Sequence, residues 1–525
     1  MANDNKVINI IYYIYAMLML GIISICIIFQ RLEYQRKNYE NISDLVLLFL
    51  GIFCVLFIYV LLRMFENKRL ITKQTKIVFF IFSVVLLVFQ IYAISSYYFY
   101  TDWDVSIIIE IAKANALGKT IDLQEYYFSR YPNNVFIAFL FSKIMCLFYK
   151  IGMGEFAYFA CILFQCLISW IVGLELFGVV RKITDCYAIS FSAYILYLIL
   201  GQFSPWISIP YSDGIGLFFP MTVVWIYFWN VNGNKKQFVK WFIIAFISYC
   251  GYCIKPQTLI VTIALSVIEL ITLLYNIKSK LKKFVKLSIA FVIGCAVSFI
   301  IITACENSFN DNVKIDDERT FGVAHFLMMG ANSECQGVWN QEDYNFSDSY
   351  LTVKERNLAD IRVFKQRLNE MGLCGVAKHI CKKTLVNYND GTFCWGGEGN
   401  FYVELVDNKD NFVTSLFRNL YYNRNQMGKH YKYWSNIEEM LWITVLFMSI
   451  AVLGTKKNKK IAVLALSIIG LTIFELLFEA RARYLFTYIP IYILLGILGL
   501  DACVNKLYNK YRKFHGCDGR NDDKE

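Results

Sequence analysis

The chain has 525 residues, of which 57% are hydrophobic and 18% charged. Soluble globular chains run at about 45–50% apolar and about 25% charged, so this composition excludes a soluble enzyme, a disordered chain and a small disulfide scaffold. The formal net charge is +11; with no nucleic-acid motif present, it reads as Lys and Arg gathered on the inner loops of a multi-span protein.

The N-terminal residues Met1 to Lys6 are polar, and an apolar run follows at about 7–29. It lacks a small-residue cleavage site and reads as an uncleaved first helix. Runs able to cross about 30 Å of hydrocarbon follow near 44–62, 77–99, 155–180, 187–203, 212–230, 238–254, 257–276, 284–305, 438–454, 461–478 and 484–500, with a shorter one near 133–149. These predict an all-α polytopic membrane protein with about 12–13 transmembrane helices and a small extracytoplasmic mixed domain between late helices.

Orientation follows from loop charge. Lys68, Arg69, Lys73 and Lys76 mark one inner loop, Arg181 and Lys182 another, and Lys235 and Lys236 a third. Lys278 to Lys283, Lys456 to Lys460 and the tail from Lys506 to Lys513 complete the set. The loops 100–132, 204–211, 306–437 and 479–483 then face outward. Parity requires an odd number of crossings in 133–180, so 133–149 is expected either to dip into the outer leaflet without crossing or to form a hairpin of short helices. The expected divisions are 1–76 (additional N-terminal helices), 77–305 (a transmembrane core), 306–437 (an outer domain), 438–500 (the last helices) and 501–525 (a basic tail).

Most of the 16 cysteines lie in apolar runs, where they act as small hydrophobes. Cys250 and Cys253 have redox-motif spacing but no strand context. Cys335, Cys374, Cys381 and Cys394 lie in the large polar region, where pairing stays open.

The candidate chemistry sits in the outward segments. Asp102 and Asp104 precede an amphipathic stretch, Val105 to Ala114, that reads as a helix lying on the membrane. A carboxylate there serves as helix cap, as general base or as metal ligand. Arg130 and Tyr131 precede Pro132 at the start of the next helix, as anchors or as substrate contacts. Asp213, in Tyr211-Ser212-Asp213, either caps a helix or faces a ligand. Lys255, before Pro256, either snorkels or meets lipid phosphate. His325 lies just before Met329-Gly330. Asp390 and Glu398 flank Trp395 in a Gly-rich loop of the kind that binds sugars. Glu479, Arg481, Arg483 and Tyr484 crowd the junction of the last two spans. Charges near hydrocarbon are costly unless paired or functional, and Arg binds phosphate through a planar fork. Four histidines and no paired metal-ligand motif make a zinc site unexpected, and no nucleotide-binding loop is present.

In this order, Tyr131-Pro132-Asn133-Asn134, Tyr211-Ser212-Asp213, Lys255-Pro256, Met329-Gly330, Asp390-Gly391-Thr392-Phe393 and Glu479-Ala480-Arg481-Ala482-Arg483-Tyr484 resemble the GT-C superfamily. These are multi-span glycosyltransferases that use polyprenyl-phosphate sugars. The resemblance covers about 77–500 and points to the protein O-mannosyltransferase and aminoarabinose-transferase branch in Gram-positive bacteria. It implies Asp104, eight positions before Ala112, as the catalytic base, with Asp102 as the alternative. The family often has two adjacent acids, whereas here Trp103 and Val105 flank Asp104, which puts a metal role in doubt. A divalent cation (Mg or Mn, on Asp102 and Asp104) is compatible but not required, and no other cofactor is expected.

The resemblance thus implies a plasma-membrane enzyme with its site outside. It would transfer a sugar from a polyprenyl-phosphate donor to a glycan, lipid or protein acceptor, with inversion. Membrane lipid would be a further partner and nucleic acid would not. The alternatives are a transporter or flippase, or a polymerase or ligase, of lipid-linked glycans.

Overall fold

The structure, a computed structural model, describes residues 2–29, 42–67, 75–119, 127–275, 277–310, 313, 315–399, 402–405, 411–422 and 428–514. Among them, 11 helices are long and apolar enough to cross a membrane, and one shorter apolar helix spans Tyr187–Gln202. A helix apolar on every side must lie in lipid or in the centre of a bundle, and these divide accordingly. The span Ala482–Lys510 is 78% buried and central, whereas Leu281–Phe309 is 22% buried and presents its surface outward. The chain is an all-α polytopic membrane protein.

The bundle has two chemically distinct ends. At one, Lys459 pairs with Glu269 at 2.7 Å, Lys240 Nζ donates to the Tyr227 carbonyl at 2.7 Å, and Lys457 Nζ sits 4.1 Å from the Tyr12 ring centre. Lys182 is within electrostatic reach of Lys240 and Lys460. Glu66 accepts from the Tyr187 N–H at 2.9 Å. The basic groups at 182, 240 and 457–460 therefore share one end, as loop charge predicts; Lys68, Arg69 and Lys73 lie outside the described residues. The outward candidates Asp104, Asp213, Lys255 and Glu479 lie at the other.

Helix directions settle the parity of 133–180. The helix Ala157–Thr184 starts at the end away from the basic loops, where the Tyr158 hydroxyl donates to the Phe99 carbonyl at 2.9 Å. It finishes among the basic loops. The preceding helix Val135–Lys150 therefore begins and ends on the same side. It packs along Trp103–Ala116, and Lys143 comes within electrostatic reach of Cys305, near the far end of the helix Ile277–Asn310. Length and apolarity alone would have made it a crossing.

Two expected spans are broken. Residues 187–203 form the helix Tyr187–Tyr197 and a wider turn Leu198–Gln202. Residues 212–230 form Ser212–Gly216 and Phe218–Tyr227; Pro220 lacks the N–H that would bond back to Gly216.

The region 306–437 is mainly helical where described. It holds Val323–Gly330, Gln341–Asp348, Val353–Tyr388 and Phe412–Tyr421. Its one strand, Tyr402–Leu405, pairs antiparallel with Phe99–Thr101 of the first outer loop. Val353–Tyr388 kinks at Gly372, whose φ is +57°, and its end enters the bundle. There the Tyr388 hydroxyl meets Thr472 at 2.7 Å and Tyr492 at 2.9 Å, and Trp442 Nε1 donates to the Tyr388 carbonyl at 2.9 Å. This anchor carries the following loop, with Glu398, to the end of the last helix pair. Cys250, Cys253, Cys335, Cys374, Cys381 and Cys394 are all free thiols.

The non-crossing helix is checked by impermeant maleimide labelling in intact cells. Cysteines introduced at Lys119 and Met153 are expected to label from one side, and a cysteine at Lys235 from the other, each against the parent chain. Opposite labelling of Lys119 and Met153 variants would mean that Val135–Lys150 crosses.

Candidate functional site

The site begins at an unusual backbone turn. Trp103 has φ +58°, a region that costs a bulky residue about 1–3 kcal/mol. Three contacts hold it. Trp103 Nε1 donates to Thr101 Oγ1 at 3.1 Å, its ring meets Tyr211 edge-on at 5.1 Å, and the Arg483 guanidinium lies 4.5 Å from the ring centre. The turn separates the two candidate acids. Asp102 points to solvent and caps the helix Trp103–Ala116, accepting from the Trp103 N–H at 2.9 Å. Asp104 turns inward and accepts from the Tyr211 hydroxyl at 3.1 Å. Burial pushes the Asp104 pKa above its ordinary value, while Arg483, the Tyr211 hydroxyl and Arg481 pull it back. A carboxylate placed this way is a stronger base than a solvated one.

Beside it lies a buried ion network. Arg481 bridges two carboxylates, Glu479 at 2.6 Å and Glu398 at 2.7 Å. Arg483 lies 3.2 Å from Glu398 and 3.6 Å from Asp213. Lys255 pairs with Asp213, and its ammonium sits 4.6 Å from the Tyr484 ring centre. The Tyr484 hydroxyl donates to Glu479 at 3.1 Å. These contacts hold the Arg481 pKa well above its usual value and lower that of Glu479 against their burial; burial lowers that of Lys255, opposed by Asp213. The two arginines are not equivalent. Arg481 is held at both ends by short ion pairs. Arg483 keeps buried Nε and Nη1 atoms without an aligned hydrogen-bond acceptor, and both Glu398 oxygens and Asp213 Oδ2 lack an aligned donor. The network is thus charge-paired but not closed by hydrogen bonds around Arg483.

Two members were not singled out from the sequence. Glu475 lies in the last turn of the helix Lys459–Leu477, is fully buried and is within reach of Lys255 and Lys383. Lys383 donates to the Gly330 carbonyl at 2.9 Å and the Phe478 carbonyl at 2.5 Å, and burial lowers its pKa to about 8. Nothing in the local sequence separates it from Lys382. Gly330 is needed for this approach, because a Cβ there would stand 2.5 Å from the Leu477 and Phe478 carbonyls.

The remaining candidates lie around this centre. Tyr131 is within electrostatic reach of Asp104 and Glu479. Arg130 instead forms a two-pronged pair with Asp348, at 2.6 and 2.7 Å, and so ties the short helix Tyr127–Arg130 to the helical outer region. His325 stacks on Phe321 and contacts Ser347 through Nδ1 at 2.7 Å; burial lowers its pKa to about 4, with Glu479 opposing. Asp390 spends its carboxylate on its own loop, accepting from the Thr392 N–H, the Thr392 hydroxyl and the Cys394 N–H at 2.8, 2.7 and 3.2 Å. Among the described residues, no cluster of three or more His, Cys, Asp or Glu side chains is arranged to hold a metal ion.

A family model described as a conserved hypothetical integral membrane protein matches residues 1–504, and the chain belongs to that family. No curated protein and no solved structure matches it.

Removing one partner of a buried ion pair costs about 3–5 kcal/mol, because the other charge stays behind. Arg481→Ala leaves Glu479 without its paired cation and Glu398 with Arg483 alone. It is expected to lower the thermal midpoint of the purified protein clearly, while Lys119→Ala, at an exposed turn, leaves it unchanged. Equal midpoints would mean that the network adds nothing to stability.

Proposed function

We propose that this member of the family is an integral membrane glycosyltransferase that moves a sugar from a polyprenyl-phosphate donor to an acceptor outside the membrane. One observation carries the reading: a half-buried carboxylate, Asp104, whose pKa burial raises, and an incompletely bonded guanidinium, Arg483, come together at the bundle end away from the basic loops. The positive-inside rule makes that end the outer one. The resemblance in motif order supports the same class.

In this mechanism Asp104 takes the proton of the acceptor hydroxyl as its oxygen attacks the anomeric carbon. The bond from that carbon to the phosphate oxygen breaks, and its electron pair leaves on the phosphate. Phosphate departs without a general acid, so one base suffices and the sugar inverts. Arg483 stabilises the growing phosphate charge. Arg481 and Lys255, already paired, hold Glu398 and Asp213 and through them aim Arg483. Trp103, Tyr211 and Tyr484 supply aromatic faces beside the reacting atoms.

Asp104→Asn is expected to abolish release of polyprenyl phosphate from a radiolabelled polyprenyl-phosphate hexose while leaving donor binding near normal. Asp102→Asn should keep most turnover, because its carboxylate faces solvent. Arg483→Ala should weaken donor binding. The base must be ionised and its pKa is raised, so the rate should fall as pH drops through a value above the ordinary carboxylate range. Full turnover by Asp104→Asn would remove the base assignment.

A second reading, a carrier of lipid-linked glycans, draws on Glu175. This carboxylate lies within the span Gly154–Thr184, is 6% exposed, and accepts from the Thr222 hydroxyl at 3.0 Å. Charged groups inside spans mark transport paths. Glu175→Gln should leave sugar transfer intact if the chain is a transferase. Loss of lipid-linked sugar translocation in this variant, with no transfer activity in the parent, would favour the carrier.

A further inference from the structure

A cavity of about 920 Å³ lies at the end of the bundle opposite Asp104. No part of the proposed transfer chemistry uses it. Its walls come from three places: the turn around Thr184, the loop Gly454 to Asn458, and one face of the last helix, Ile489–Phe514. That helix contributes Leu498, Asp501, Ala502, Asn505, Lys506, Asn509 and Lys510, a spacing that keeps them on one side.

The lining is strongly one-signed. Lys456, Lys457, Lys506 and Lys510 face a single carboxylate, Asp501. Lys457 is already occupied, donating to the Leu453 carbonyl at 2.9 Å and sitting against Tyr12. Lys456, Lys506 and Lys510 form no ion pair among the described residues. The amides of Asn505 and Asn509 add polar groups that can donate. The helix Lys459–Leu477 starts at the cavity wall, where Asn458 caps it by accepting from the Lys460 N–H at 2.9 Å. Its positive dipole end adds to the same field. Below these groups the wall turns apolar at Ile183, Ile461 and Leu498.

We propose that this cavity is a binding site for a phosphate-bearing anion, with the lysines on the phosphate and the apolar floor under the group it carries. The shared chemistry is the phosphate. It can come from an anionic phospholipid of the adjoining leaflet or from a soluble phosphate ester, and the test separates the two.

The full chain is placed in nanodiscs of phosphatidylcholine with phosphatidylglycerol, and retained lipid is read by native mass spectrometry. Selective retention of phosphatidylglycerol is expected, and it should fall at least about tenfold in Lys506→Gln/Lys510→Gln. Lys235→Gln/Lys236→Gln changes exposed lysines outside the cavity, and should retain the lipid as the parent does. In phosphatidylcholine nanodiscs, glycerol 3-phosphate is titrated by calorimetry; binding lost in the cavity variant but kept in the control variant would assign the soluble source. Equal retention of the two lipids together with no glycerol 3-phosphate binding overturns the proposal. So does an equal loss in both double variants, which would mean general surface charge. Size-exclusion profiles of the variants should match the parent, since these lysines are exposed.

Discussion

Charge buried where helices meet the edge of a bilayer has to be neutralised by the protein itself, because little water is available to do so. The end of the bundle that holds Asp104 is built around that requirement. Arg481, Arg483 and Lys255 are matched by Glu479, Glu398 and Asp213, and Glu475 and Lys383 form a deeper layer. These groups come from segments more than 250 residues apart. Each segment arrives for its own reason: the Lys255 turn by the packing of two spans, the Glu398 loop by the insertion of Tyr388 among Thr472, Tyr492 and Trp442.

The same network distinguishes fixed charges from available ones. Arg481 has short ion pairs on two sides, whereas Arg483 is surrounded by carboxylates with poorly aligned contacts. Asp104 is the counterpart. It is half-buried, held by one phenol, and lies within electrostatic reach of Arg483 and Arg481.

The two ends of the molecule handle charge in opposite ways. Opposite signs interlock at the end carrying Asp104. At the other end the lysines mostly face solvent and share a cavity with one carboxylate. That asymmetry matches a protein whose orientation is set by its basic loops.

Local sequence determined a good deal. Apolar runs of spanning length and the clustering of Lys and Arg between them are properties of short stretches, so the helical membrane fold and the segregation of basic loops to one end were legible directly. The order of the polar motifs also pointed to Asp104, Asp213, Lys255, Glu398, Glu479, Arg481 and Arg483 before any of them could be seen together. What local sequence could not decide was direction and facing. Val135–Lys150 is long and apolar enough to cross, and only the positions of Tyr158 and Phe99 make it lie on one side. Asp102 and Asp104 are equivalent by composition; the left-handed turn at Trp103, held by Tyr211 and Arg483 from far along the chain, sends one outward and one in. Arg130 reads from sequence as an anchor or a substrate contact, and Asp348, far along the chain, takes both of its prongs. In each case the deciding partner is distant in sequence, and long-range contacts are the one thing that neither hydropathy nor motif spacing contains.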